Sequence, residues 1–149
     1  MNGIKKIFRF LLIIVTTITG FNSMAHGQSD KLEGLWYNDT KEAKIQIYKG
    51  TDGKFYGKIV WLKEPLKNSK PKLDEKNPKE KLRKQPIVGL VILKWLEKDG
   101  DYYEDGSIYD PDNGKTYDCK ITNKGKTLSI RGYIGISLLG RTTVWERAG

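Results

Sequence analysis

Histidine is all but absent from the 149 residues. The one present, His26, stands at the end of an N-terminal stretch that reads as an export signal. Once that stretch is cleaved no imidazole remains. This closes the Ser-His-Asp and Cys-His routes to nucleophilic catalysis and takes the commonest nitrogen ligand away from any metal site. Cysteine is as scarce: Cys119 is alone, so neither an intrachain disulfide nor the thiolate set of a structural zinc can form. Long apolar runs are lacking as well, apart from Ile7 to Ile18, which is shorter than the about 20 residues a spanning helix requires. Neither a cofactor nor a metal is expected, and the chain leans away from enzymes.

What precedes and follows that apolar run defines it. Lys5, Lys6 and Arg9 make a positive start, and Ala25 and Gly27 are small residues at the positions a signal peptidase reads. Residues 1–27 are expected to be a cleavable signal peptide, with a mature start near Gln28 and a periplasmic or secreted destination. No transmembrane span remains after cleavage. Three basic residues leave with the signal, so 24 basic residues face 18 acidic ones, a net charge of +6. Residues 28–149 suit one domain with a single modest core.

That domain reads as all-β. Asp52-Gly53, Asp99-Gly100, Asp105-Gly106, Asn113-Gly114 and Lys124-Gly125 recur as turn dipeptides, of the kind that supplies the positive φ of tight hairpins. Short runs of period two lie between them. Ile45 and Ile47 alternate with polar neighbours. Phe55, Ile59 and Trp61 share a face with Gly57, and Tyr117, Cys119 and Ile121 share another; Leu128 and Ile130 alternate likewise. The expectation is about eight antiparallel strands in an up-and-down barrel, closed so that no edge is exposed. A barrel of that size is either filled by side chains or hollow enough for one small ligand. Two connections are not tight turns. In residues 63–85, Asn77-Pro78-Lys79-Glu80 predicts a short helix with Asn77 as N-cap. In residues 132–140, a glycine-hinged apolar loop either covers one barrel end or continues a bent strand.

Charge concentrates in Lys63–Lys84, where nine basic residues oppose four acidic ones. Such a segment is a solvated loop or an arm for anionic envelope surfaces. Nucleic acid is not an expected partner, because the stretch lacks the aromatics that stack on bases. Asp110-Pro111-Asp112-Asn113-Gly114 begins like a calcium loop but lacks the later glutamate, and a turn accounts for it. Glu97, Glu104, Asp105 and Glu146 could supply a carboxylate pair, whose separation sequence does not give. Cys119 sits on the apolar parity of its run and reads as a buried thiol. Four tryptophans and eight tyrosines suit core packing or an apolar cavity with hydroxyls at its mouth.

Gly34-Leu35-Trp36 at the first strand and Arg147 after Trp145 at the last look like the lipocalin arrangement, where an arginine covers the first-strand tryptophan and closes the barrel base. A wider set of motifs runs through the chain: Asn77-Pro78, Leu82-Arg83 and Pro86-Ile87-Val88-Gly89-Leu90, then Ile108-Tyr109-Asp110-Pro111. The last segment is Arg131-Gly132-Tyr133 through Gly140-Arg141-Thr142 to Trp145. From Gly34 to Arg147 the chain resembles domain-of-unknown-function family 2147, exported bacterial proteins of lipocalin-like fold. Gln85 departs from it, standing where the family often has a second arginine. The resemblance implies fold and export, and no activity. Its motifs single out Asn77, Arg83, Tyr133 and Arg141 as ligand-binding candidates, with Trp36 and Arg147 as the barrel-closing pair.

The leading expectation is an exported barrel that holds an apolar or amphipathic, lipid-like molecule. The alternative is a filled barrel that contacts anionic envelope surfaces through the lysine-rich loop. A carboxylate and tyrosine enzyme without histidine ranks third.

Overall fold

Alternating runs and Gly turns fold as the period-two pattern dictates, with most strands pairing antiparallel with the next in sequence. A computed structural model describes residues 30–149; the signal peptide expected at 1–27 lies outside the described residues. The strands are β1 (Gly34–Tyr37), β2 (Ala43–Lys49), β3 (Phe55–Leu62), β4 (Leu66–Lys67), β5 (Lys70–Pro71) and β6 (Val91–Asp99). They continue as β7 (Tyr102–Asp110), β8 (Lys115–Asn123), β9 (Thr127–Tyr133) and β10 (Arg141–Arg147). Eight of them close a ring in the order β1-β10-β9-β8-β7-β6-β3-β2, while β4 and β5 form a small separate ribbon. Closure comes from β1, which pairs with β2 on one side and places Trp36 opposite Arg147 of β10 on the other. Ring, core and N-terminal strap all fall within residues 30–149.

Bulges break strict alternation in the β2–β3, β3–β6 and β7–β8 pairs, and two of them change the reading of the sequence. The β2–β3 register passes from Lys44 opposite Trp61 to Ile45 opposite Ile59, which leaves Val60 as an extra residue. This bulge turns Trp61 to the outer face with Lys44, away from the face of Phe55, Gly57 and Ile59, and the ammonium lies 5.2 Å from its ring. The second is Asp105-Gly106, which is no turn. It lies inside β7, where Asp105 (φ 59°) is a bulge residue opposite a register shift against β8. This bulge uses the same left-handed backbone as a hairpin turn, so the dipeptide alone does not separate them. Gly106 has its own reason: a Cβ there would stand 2.6 Å from Leu96 Cγ and from the Lys94 carbonyl oxygen.

The helix expected between 63 and 85 is a single 3-10 turn, Glu80–Leu82, entered from Lys79. Asn77 Oδ1 accepts the Lys79 amide two residues on, an Asx turn that spends the cap before a helix can start, and Pro86 ends the segment. A second 3-10 turn, Ser137–Leu139, lies in the β9–β10 connection.

One barrel end is packed solid. Trp36, Ile47, Phe55, Leu93, Leu96, Cys119, Ile121 and Leu128 are essentially inaccessible there, and Phe55 meets Tyr103 edge-on at 5.2 Å. A strap of residues 30–33 covers this end. Trp36 Nε1 donates to the Leu32 carbonyl at 2.9 Å, and the Arg147 guanidinium lies 4.0 Å over the indole ring. From there Arg147 donates to the Lys31 and Glu33 carbonyls. Glycine suits this crossing, because Gly34 has φ 132°, which L side chains rarely adopt, and a Cβ would also displace that guanidinium. Asp30 ties the strap to the wall. Burial works against its charge, yet hydrogen bonds from Lys98 and Tyr103 hold its carboxyl below the usual aspartate range.

Cys119 belongs to this packed end. Burial alone pushes its thiol up to about 12, so at pH 8 it carries almost no thiolate. A thiol reagent such as iodoacetamide should leave the folded protein unlabelled at pH 8 and label it fully in denaturant. Rapid native labelling would show that the base opens.

Candidate functional site: a cavity at the open end of the barrel

The other half of the barrel is hollow. Toward the ends of β3, β7 and β9 a cavity of about 610 Å³ opens at the rim, bordered on one side by Lys63, Glu64, Lys72 and Ile87 of the connection that follows β3. Its walls are built from one or two inward positions on each strand: Ile45 of β2, Ile59 of β3, Ile92 of β6, Ile108 of β7, Ile130 of β9 and Trp145 of β10. These side chains are held by the same core that fills the base. Gly132 on β9 contributes no side chain at all. A Cβ there would meet Tyr117 and Ile108 at ordinary distances of 3.5 and 3.6 Å, so this glycine creates volume rather than avoiding a clash.

Polarity rises toward the mouth. Tyr117 of β8, Thr143 and Arg141 of β10, and Lys63 and Lys72 beyond β3 line it. The Tyr117 hydroxyl accepts from Asn113 Nδ2 at 3.0 Å, which leaves its own proton to donate. Asn113 is fixed in turn by Asp110 Oδ2 and by the Lys115 amide, so the Asp110–Gly114 segment is a hydrogen-bonded turn at the rim. Arg141 has no carboxylate within ion-pair distance among the described residues. The arrangement suits binding: an apolar floor, a few directed donors, and a mouth where Arg141 and Lys63, without an ion pair among the described residues, stand among the carboxylates of Asp39, Glu42, Glu64, Asp110 and Asp112.

The motif residues separate into three places. Arg141 lines the cavity. Tyr133, the last residue of β9, is half-buried opposite Asp118 and does not line it. Asn77 and Arg83 meet each other in the 63–90 connection. Arg83 Nε donates to the Asn77 carbonyl at 2.8 Å, and Asn77 Nδ2 donates to Asp74 Oδ2 at 2.7 Å. Asp74 is fully buried and also accepts from the Tyr109 hydroxyl at 2.6 Å. Burial first, and then this bond to the carboxylate, raise the Tyr109 hydroxyl far above its ordinary pKa. Asn77, Arg83, Asp74 and Tyr109 are thus a clasp that holds the connection to the barrel. Sequence carried no signal for Asp74, one acid among several in a charged stretch. Thr143 and Trp145 could have been found by parity from Arg141.

Other expectations take a different form. The barrel is filled only in its lower half, so a wholly filled barrel does not describe it. Glu97, Glu104 and Glu146 are each paired with a lysine, Lys54, Lys120 and Lys41, on the outer wall and away from the cavity. The 132–140 loop places its apolar side chains in solvent rather than over the barrel end. Among the described residues no cluster of His, Cys, Asp and Glu could hold a metal ion.

Residues 34–147 match the model of a family described as "Uncharacterized protein conserved in bacteria (DUF2147)". Among solved structures, the chain is similar to a Helicobacter pylori protein, HP1028, described as belonging to the lipocalin family. Identity is 26% and the TM-score 0.70, covering 82% of this chain and 85% of that one. No curated protein matches.

Proposed function

We propose that this chain, which belongs to the DUF2147 family of bacterial proteins, is a carrier or sensor whose barrel holds one apolar or amphipathic small molecule. The observation that carries this reading is the half-hollow barrel: a cavity of about 610 Å³ above a sealed base, within the range of about 300–1,000 Å³ typical of small-molecule sites. An aliphatic or aromatic body would lie among Ile45, Ile59, Ile108, Ile130 and Trp145. Its head would reach Arg141, Thr143 and Tyr117; in a mouth that also carries five carboxylates, an anionic group would be held at Arg141 by a charge-assisted hydrogen bond. The likeness to a protein described as a lipocalin supports the same reading. The cell envelope is the proposed location, and its support is the N-terminal sequence, basic then apolar then small.

The test is ligand content and its loss on filling the cavity. Native mass spectrometry and solvent extraction of the purified protein should yield a bound small molecule or, failing that, tight uptake of a fluorescent fatty acid. Gly132→Phe puts a ring into the cavity at a position where the backbone is ordinary, so stability should hold while fatty-acid affinity falls at least about tenfold, the equivalent of about 1.4 kcal/mol. Arg141→Gln should weaken the fatty acid by about tenfold or more, as the loss of a charge-assisted bond implies, and leave an uncharged alcohol of equal length nearly unaffected. Equal fatty-acid binding by wild type and Gly132→Phe would overturn the proposal, as would a wild type that takes up nothing.

A further inference from the structure

The β9–β10 connection carries the four most exposed large hydrophobic side chains among the described residues. Ile134, Ile136, Leu138 and Leu139 are 70%, 60%, 84% and 80% exposed. A soluble surface scatters single hydrophobes, but four within six residues on one tip form a patch that calls for a partner. The tip is also held in place. Arg131 Nε donates to the Ser137 carbonyl at 2.6 Å, a second guanidinium nitrogen donates to the Leu138 carbonyl at 3.0 Å, and the third bonds Thr142. With the 3-10 turn Ser137–Leu139, this clamp presents both leucines outward instead of letting them fold over the cavity beside them.

The ring order shows what stands across the mouth. β9 and β10 lie opposite β3 and β6, and β3 and β6 are joined by the lysine-rich connection. Both connections therefore rise from the same rim on opposite sides. In the basic segment Lys70, Lys79, Lys81 and Lys84 are exposed and form no ion pair among the described residues. The outer wall below carries ion pairs such as Lys54–Glu97 and Lys120–Glu104, not the apolar band of a lipid-facing barrel.

From this juxtaposition we propose that the open rim docks on an anionic lipid bilayer, with the Ile134–Leu139 tip entering the headgroup–acyl boundary and the lysines meeting anionic headgroups. The occupant is lipid rather than a second copy for two reasons. Four exposed apolar side chains on one connection and unpaired lysines on the other complement a surface that is anionic at its face and apolar beneath, whereas a second copy brings the same positive net charge to the contact. Apolar insertion combined with basic contacts is how interfacial segments hold to anionic membranes. Docking there would set the cavity mouth against the bilayer, but it stands independently of what the cavity holds.

Vesicle co-sedimentation tests it on the chain starting at Gln28, which keeps the whole barrel and omits the apolar leader. Wild type should bind phosphatidylglycerol–phosphatidylcholine vesicles and bind pure phosphatidylcholine vesicles far more weakly. Leu138→Ser with Leu139→Ser should weaken binding at least about tenfold without lowering stability, since both side chains already stand in water. Lys79→Gln, Lys81→Gln and Lys84→Gln together should cost at least about tenfold on the anionic vesicles alone, as about fivefold per lysine implies. Binding that is unchanged by the leucine substitutions would overturn the proposal, leaving a purely electrostatic contact. So would a wild type that ignores vesicles, or one that forms a dimer in their absence which the leucine substitutions dissolve.

Discussion

Trp36→Ala should cost about 3–5 kcal/mol of stability, the range for removing a large aromatic from a core. Three losses coincide at that position. The indole is wholly inaccessible, so its removal leaves a void in the packed base. Its Nε1 no longer ties down Leu32 of the strap. Arg147 loses the ring on which it lies, although its bonds to the Lys31 and Glu33 carbonyls can persist. Urea denaturation should show the midpoint falling with little change in slope, and thermal unfolding should drop by roughly 10 °C or more. Arg147→Ala removes only the cover and two hydrogen bonds to carbonyls, and about 1–2 kcal/mol is expected. If Trp36→Ala cost no more than Arg147→Ala, the base would be held by the strap and not by the indole.

Asp74→Ala should be the next most damaging substitution, at about 2–4 kcal/mol, although only one short side chain is lost. The carboxylate is fully buried and accepts from both Tyr109 and Asn77. Removing it leaves two donors without an acceptor where water has little access, and that costs more than a hydrogen bond contributes when made. Asp74→Asn keeps an oxygen for one of them and should cost about half as much. Damage should concentrate in the connection, because the Asp74, Lys72 and Ile87 amides hydrogen-bond within it to Gln85, Pro65 and Lys72. Hydrogen exchange should therefore speed up at these amides first, while β7 and β8 stay protected. Uniform acceleration around the ring would instead make the clasp part of the barrel's global stability.

Much of the architecture was legible because alternation is local. The run of Tyr117, Cys119 and Ile121 has one face for the core whatever its neighbours are, and Asn113-Gly114 turns the chain wherever it stands. Trp61 and Asp105-Gly106 were misread for a shared reason. A bulge shifts parity by one residue, and its cause lies on the partner strand or in a packed side chain such as Leu96. The candidate site was half legible. Arg141 stands out in the closing motif, but Asn77 and Arg83, marked by the same kind of pattern, serve the clasp. Nothing within the 63–85 segment says whether its polar groups meet a ligand or one another, since the deciding partner, Tyr109, arrives from 35 residues away.

By itself, the sequence determined an all-β ring with a tryptophan–arginine base and no histidine beyond residue 26, since strand period, turn chemistry and residue inventory are local properties. Only the tertiary structure decided that the barrel is full at one end and hollow at the other. That outcome depends on which inward positions of eight strands reach the same height. Closure sets that stagger from both sides at once, and a glycine such as Gly132 becomes empty space only when Tyr117 and Ile108 stand around it. The same closure put the apolar tip and the lysine-rich connection on one rim, a pairing that two segments about fifty residues apart could not announce separately.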